Sequence, residues 1–374
     1  MRALLRTSML ALWLLGPCPR VAAAPADAMA TVDDVFRRAD RPPPVRDADL
    51  DRAAMALAAD DGTAEPRHLM RAAGVYDGLV LPAVVVSPED AQVGASWARY
   101  VTEQVLPQDV THFGMARDGD RLAVVFVKRR FVLEQPMGAP REGRTLRIVG
   151  RLATGYAGAK AVMSVPDDRV VLLPTGHFGN QMTVEVPLTA GEGVYTVEIV
   201  AYGGAGTEVL ALWEMRTEDG RPRLLPVRAA SPPPAAPVPA EEAASGTPEQ
   251  RLFTWINRER ARLGLEPLRW DAALNATAAA HSEAMAHAGV AAHRLPGGRG
   301  PAERFEHAGI RTQRFYENVA MARTLELAHE ELWASPSHRL AMLDRQVDRV
   351  GIAVRTRPDA DGVLYYVTEH FTEH

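Results

Sequence analysis

Apolar and polar residues follow two rhythms along this chain, and the change from one to the other divides it. Between 31 and 130 both occur. Leu50, Ala53, Ala54, Met55, Leu57 and Ala58 fall at helical spacing, and His68, Leu69, Met70 and Ala73 predict a second short helix that Gly74 stops. The apolar runs at 79–86 and 122–127 predict strands, the second entered through the turn Asp118-Gly119-Asp120.

From 136 to 227 only the two-residue rhythm remains. Runs at 144–149, 160–164, 170–173, 182–186, 195–201 and 210–213 predict strands, with Pro166-Asp167-Asp168 and Gly191-Glu192-Gly193 as turns. Short strands at this spacing predict a small β-sandwich, in which no catalytic constellation is visible. Residues 228–247 then turn to Ala, Pro, Ser and Glu. Such a stretch has too little apolar surface to fold and favours extended backbone. It reads as a linker to an independently folding module at 248–374.

That module returns to helical spacing. A helix is predicted at 249–263, with Leu252, Ile256 and Leu263 inward and Arg258, Glu259 and Arg260 toward water, stopped by Gly264. Asp271 is a candidate N-cap for a second helix, in which Leu274, Ala278, His281 and Met285 share a stripe. His281 on that stripe reads as a satisfied structural histidine. Another helix is predicted at 325–334. Ser335 and Pro336 suit the N-cap and first position of a further one, which places His338 in its first turn. The positive end of a helix favours a neutral imidazole there, the form that ligates metals or accepts protons. Strands at 350–354 and 363–371, joined by Asp359-Ala360-Asp361-Gly362, close the module, with Glu369 and His370 flanking a cleft.

Composition narrows the classes. The chain has 374 residues, 47% of them hydrophobic, which suffices for two or three domains, and a net charge of -5 that gives no reason to expect nucleic acid. Arg2 and Arg6, the apolar run 9–15 and the small residues 21–24 read as a secretory signal peptide over 1–24, with a later cleavage site near 30. Cys18 is the only cysteine and falls inside that leader, with Pro17 rather than a small residue before it, so lipidation is not expected. The mature protein is then cysteine-free, has no transmembrane segment, and is exported to a bacterial periplasm or medium.

Three polar groups carry the candidate chemistry. His293 ends a packed segment and faces the loop Gly297-Gly298-Arg299-Gly300. Read alone, it is either a loop histidine with one backbone bond or a site residue. Glu317 either points into a cavity or caps the following helix, while Asn318 shapes the local turn. Arg339 either pairs with a carboxylate or is solvated. Ser335 or Ser337 beside His338 is a poor nucleophile arrangement, because adjacency does not align a base. The glycine loop lacks the strand before it and the Lys-Ser or Lys-Thr end that a phosphate loop needs.

In order along 248–371 stand Ile256-Asn257-x-x-Arg260, Gly264-Leu265-x-Pro267-Leu268-x-Trp270-Asp271, Ala280-His281-Ser282-x-x-Met285, His293, Glu317-Asn318-Val319-Ala320, Ser335-Pro336-Ser337-His338-Arg339, Val350-Gly351-Ile352-Ala353 and Tyr366-Val367-Thr368-x-x-Phe371. Together they resemble the CAP or SCP-like superfamily of cysteine-rich secretory, antigen 5 and pathogenesis-related proteins, in its cysteine-free bacterial branch. The resemblance implies an α-β-α sandwich around a cleft formed by His293, Glu317 and His338, supported by Asn318, Ser335 and Arg339. The position of a second cleft glutamate falls on Ser335, so the four-residue cleft is incomplete. Tyr316, Ser337 and Ala341 also depart from the family pattern, the last removing a polar support. A fainter likeness to the closing strands of the same family, at 111–126, admits a degenerate first copy within 31–135.

The expected fold class is thus multidomain α/β and β: an N-terminal α+β region, a central β-sandwich and a C-terminal CAP-like α-β-α sandwich. The expected function is that of an exported, non-enzymatic binding protein for a lipid, a cell-wall component or a protein. The alternatives are a hydrolase that holds a divalent ion (Zn or Ca/Mg) on His293, Glu317 and His338, and a purely structural module.

Overall fold

The computed structural model describes residues 25–60, 66–86, 91–134, 145–203, 206–218, 221–224, 246–359 and 362–373. The leader at 1–24 with Cys18, most of the linker, two residues of the 359–362 turn and His374 lie outside them.

The first part of the chain runs α1 (Pro25–Arg38), β1 (Val45–Arg46), α2 (Ala48–Ala59), α3 (Pro66–Ala72), β2 (Leu79–Val86), α4 (Ala91–Tyr100), β3 (His112–Asp118) and β4 (Arg121–Lys128). The sheet order is β1-β3-β4-β2, with β1 parallel to β3 and the rest antiparallel. Leu122, Val124 and Phe126 of β4 pack on Val32, Phe36 and Trp97, while Ala123, Val125 and Val127 pack on Leu50, Ala53 and Leu57. A strand buried on both faces reads as a continuous apolar run, which is what 122–127 shows. Helix α1 also runs across the later of the two candidate cleavage sites.

Two antiparallel sheets follow: β5 (Phe131–Leu133), β6 (Thr145–Leu152), β7 (Tyr156–Ser164), β8 (Val170–Leu173), β9 (Thr175–Phe178), β10 (Gln181–Pro187), β11 (Gly193–Gly203), β12 (Gly206–Glu218) and β13 (Arg221–Leu224). Their orders are β5-β6-β10-β9 and β13-β12-β11-β7-β8. One core lies between them, with Leu146, Ile148, Met182 and Val184 facing Tyr195, Val197, Ile199 and Trp213. The outer positions of β11 are Thr196, Glu198 and Val200, and they too are buried. Strand alternation would send them to water, so that face is covered by other parts of the chain. Residues 76–78 extend this sheet beside β12: Gly78 N–H donates to Leu210 O at 3.1 Å and Leu212 N–H to Tyr76 O at 2.8 Å.

The last part runs α5 (Pro248–Arg262), β14 (Arg269–Trp270), α6 (Ala272–Ala288), α7 (Pro301–His307), β15 (Phe315–Ala322), α8 (Leu325–Ala334), α9 (Pro336–Leu343), β16 (Arg349–Asp359) and β17 (Gly362–Thr372). The sheet order is β14-β16-β17-β15, again with the first, two-residue strand parallel to its neighbour. In both sheets an aspartate ends that short strand and caps the next helix. Asp47 Oδ1 accepts from Asp49 N–H and Leu50 N–H, and Asp271 Oδ1 from Ala273 N–H and Leu274 N–H at 2.9 and 3.0 Å. Replacing Asp271 by alanine is expected to lower stability by about 1 kcal/mol, the usual cost of a lost N-cap. Urea unfolding of the full chain measures it.

Burial corrects the sequence reading of α5. Glu259 and Arg260, assigned to the solvent face, are each 1% exposed. Arg260 donates to the carbonyls of Met342 (2.7 Å) and Asp344 (3.0 Å) from Nη1 and to Glu266 O (2.8 Å) from Nε. Its guanidinium thus satisfies carbonyls at the end of α9, and the long aliphatic stem crosses the core to reach them.

Candidate functional site

Glu317 lies on β15 opposite His370 of β17, so the strand pairing sets the two side chains against each other. The expectation that Glu317 caps a helix is replaced by this strand position. Its side chain is 2% exposed, with Oε1 accepting from His293 Nδ1 at 2.8 Å and Oε2 from His370 Nε2 at 2.8 Å. Arg304 of α7 adds a third bond, from Nη2 to Glu317 Oε2, and a fourth from Nη1 to His293 O at 3.0 Å. Burial alone would raise the Glu317 carboxyl. The hydrogen bonds and positive charge of His293 and His370 outweigh it and hold the group well below the usual carboxylate range.

His338 is buried in the first turn of α9, and its carbonyl accepts from Asn318 Nδ2 at 3.2 Å. Its imidazole is pushed down to about 3, chiefly by burial and then by the positive charge of His293. It is neutral, as the sequence reading requires, but desolvation rather than the helix end dominates. Among the described hydrogen bonds none joins its ring to Glu317 or to a serine hydroxyl, so the Ser-His pairing is not formed. Ser335 caps α9 and is bonded elsewhere, to Glu198. Asn318 also donates to Glu369 Oε2 at 3.0 Å, and burial raises that carboxyl to about 7.

His281 keeps its expected structural bond, Nε2 to Ala292 O at 2.8 Å, and burial pushes its imidazole down to about 4. It also lines a cavity of about 500 Å³ between α6 and the segment 295–308. The floor is the alanine face of α6, formed by Ala273, Ala276, Ala280 and Ala284, and Arg299, Arg304 and His307 stand opposite. Arg304 therefore belongs to both the cavity and the Glu317 cluster. Sequence reasoning missed it, because one arginine in a seven-residue helix carries no pattern. The glycine loop, which lacks the marks of a phosphate loop, supplies Gly298 and Arg299 to the same wall.

The donor set does not fit a divalent ion. Both Glu317 oxygens are taken, one of them by a guanidinium that would repel a cation at that oxygen. Among the described residues no three His, Cys, Asp or Glu side chains are grouped to hold a metal. As they stand, His293, Glu317 and His338 are not grouped as a ligand set. The remaining departures also find partners. Tyr316 donates to Asp344 Oδ2 at 2.7 Å, and Ala341 is buried among apolar neighbours. Arg339 is paired rather than solvated: it donates to Trp333 O at 2.6 Å, lies 4.7 Å over the Trp333 ring, and reaches Asp168.

Residues 253–371 match the family model CAP, described as the cysteine-rich secretory protein family. The C-terminal segment is a CAP/SCP-like segment. Among solved structures the chain is similar to an outer surface protein from Borrelia burgdorferi (20% identity, TM-score 0.30, covering 34% of this chain and 93% of that one). It is also similar to an extracellular protein containing a SCP domain from Bacillus anthracis (14% identity, TM-score 0.30, 65% and 88%). A cysteine-rich secretory protein from Staphylococcus aureus is a third (12% identity, TM-score 0.26, 65% and 87%). No curated protein matches the chain.

Proposed function

We propose that the chain is an exported, non-enzymatic binding protein whose CAP segment takes an amphiphile with an anionic head. The carrying observation is the cavity between α6 and 295–308, with alanines on its floor and Arg299 and Arg304 in its wall. A floor of four alanines, with Thr277 and His281 as its polar residues, favours acyl chains over a cell-wall glycan, which would need more polar groups. A head group at Arg304 would compete with Glu317 for the same guanidinium, which links occupancy of the cavity to the His293–Glu317–His370 cluster. The hydrolase reading finds no support in that cluster, because both carboxylate oxygens are engaged by His293, His370 and Arg304.

The rest of the chain supports a presenting role. We read 31–135 as a CAP-like copy without a cleft. Its sheet repeats the β14-β16-β17-β15 order, and through the shared pairing Pro82 stands where Glu317 stands, Val125 where His370 stands, and Val124 where Glu369 stands. Apolar residues at all three positions leave packing and no polar cluster. The two middle sheets form a β-sandwich between the copies. Among the described residues no helix is long and apolar enough to cross a membrane.

The test is displacement of cis-parinaric acid, a fluorescent long-chain carboxylate, from the full chain. Saturable binding is expected. Ala280→Phe, which narrows the cavity, and Arg304→Gln, which removes one of its two arginine cations, should each weaken it by about tenfold or more, the scale of one charge-assisted bond or one blocked subsite. A long-chain alcohol should compete less well than the acid. Absence of saturable binding, or an Ala280→Phe chain that binds as the parent does, would sink this reading.

A further inference from the structure

The outer face of the five-stranded sheet bears a carboxylate with no counterpart in the sequence pattern. Glu198 projects from β11 on the side away from the sandwich core and is 0% exposed. A buried carboxylate must be bonded or it costs several kcal/mol. Its partners come from the CAP segment: Ser335 Oγ donates to Oε1 at 2.9 Å and Ser337 N–H to Oε2 at 2.9 Å. The first-turn N–H groups of a helix have no partners within it, and a carboxylate there also meets the positive end of the helix. Glu198 therefore supplies from another sheet what the first turn of α9 lacks.

Two further contacts surround that bond. Asp168, in the left-handed turn between β7 and β8, accepts from Arg339 Nη1 at 3.3 Å and from Arg262 Nη2 at 2.8 Å. Val162, Val200 and Val209 form a buried apolar patch on the same sheet face, against which Leu340 of α9 packs. A buried carboxylate, an ion-paired turn and an apolar patch thus converge on one eight-residue helix, whose third residue is His338.

We propose that this sheet face is an intramolecular clamp for the α8–α9 corner, and that Glu198 is the positioning residue through which the middle sheets hold the first turn of α9 and His338 with it. The linker then joins two bodies already fastened together, and the cleft wall carrying His338 is set from outside the CAP segment.

The test uses the full chain with one protease site introduced within 229–245 and cut after folding. The two pieces are expected to co-elute in size exclusion, and Leu340→Glu is expected to release them. In the uncut chain, hydrogen exchange at the Ser337 and His338 amides should quicken about tenfold or more in Glu198→Leu, since local opening then lacks its main restraint. It should stay near the parent rate in Glu198→Gln, which keeps an acceptor for Ser337 N–H. Amides of the β16–β17 hairpin should not change in either variant.

Separation of the parent pieces on cutting overturns the proposal. So do α9 amides that exchange in Glu198→Leu as in the parent, and so does a quickening shared equally by β16–β17, which reports general destabilisation. Should Glu198→Leu not fold, Leu340→Glu carries the same exchange measurement from the other side of the contact.

Discussion

Gly351→Ala is expected to leave the CAP segment unable to fold at ordinary temperature. Gly351 lies on β16 where α6 crosses the sheet, and an added Cβ would sit 2.2 Å from Asn275 N and 2.3 Å from Leu274 C. Both are backbone atoms in the first turn of α6, so no side-chain rotation relieves the overlap. The helix would have to lift from the sheet and break the contacts that Leu274 and Ala278 make in the core. Overpacking with backbone displacement costs about 1–3 kcal/mol even where the structure yields, and a backbone–backbone clash exceeds that. A drop of more than about 3 kcal/mol by urea unfolding, or an insoluble product, is the expected outcome. A fully stable Gly351→Ala chain would show that α6 does not lie this close to β16. Gly114 makes the same close approach in the first sheet, where a Cβ would meet Leu50 C at 2.1 Å and Asp51 N at 2.3 Å. Gly114→Ala is expected to damage that part of the chain for the same reason.

Glu369→Gln is expected to stabilise the protein, and increasingly so as pH rises. Glu369 is 0% exposed; among the described residues its Oε1 has no hydrogen-bond partner and its Oε2 accepts from Asn318. Burial raises this carboxyl from about 4.5 to about 7. A carboxyl whose folded value is raised holds its proton more tightly in the folded chain. Its contribution is therefore favourable below the unfolded value, and stability is lost as pH rises from about 4.5 through 7. A shift of this size corresponds to roughly 3 kcal/mol once the group is fully ionised, at about 1.4 kcal/mol for each tenfold change. Glutamine cannot ionise and keeps an oxygen for the Asn318 bond. Paired urea titrations should show the two chains nearly equal at about pH 4, with the variant ahead by roughly 2–3 kcal/mol at about pH 8.5. A difference independent of pH would mean that Glu369 is not held in the low-dielectric setting described.

Both predictions rest on positions that the sequence pattern marks only faintly. Val350-Gly351-Ile352-Ala353 was visible as a strand with an embedded glycine, but the helix that presses on Gly351 was not. The helices at 249–263 and 325–334, the helix stripe from Leu274 to Met285 with its Asp271 cap, and the Ser335-Pro336 helix start were legible because each depends on local spacing and local donors. Six of the middle strands, β6, β7, β8, β10, β11 and β12, were legible for the same reason, whereas the short strands β5, β9 and β13 were not predicted. His293 and Glu317 were legible as candidates only through the order of short motifs. That Glu317 is bonded by His293, His370 and Arg304 at once depends on strand pairing and on where α7 settles, which no local pattern encodes. Glu259 and Arg260 were misplaced because charged side chains at helical spacing look solvated unless their distant carbonyl or ionic partners are known.

Local chemistry in the sequence therefore determined the periods, the caps, the turns, the mixed α/β class with its CAP-like C-terminal part, and the residue types from which a cleft is drawn. Tertiary structure decided which of those residues meet. It set Glu317 among two histidines and an arginine, and opened a cavity along an alanine face. It also brought Glu198 from a sheet with no apparent chemistry of its own to the first turn carrying His338. The reason is physical: spacing along the chain governs hydrogen bonds within a turn or along a strand. Burial of a charge is settled only when residues distant along the chain close around it and exclude water.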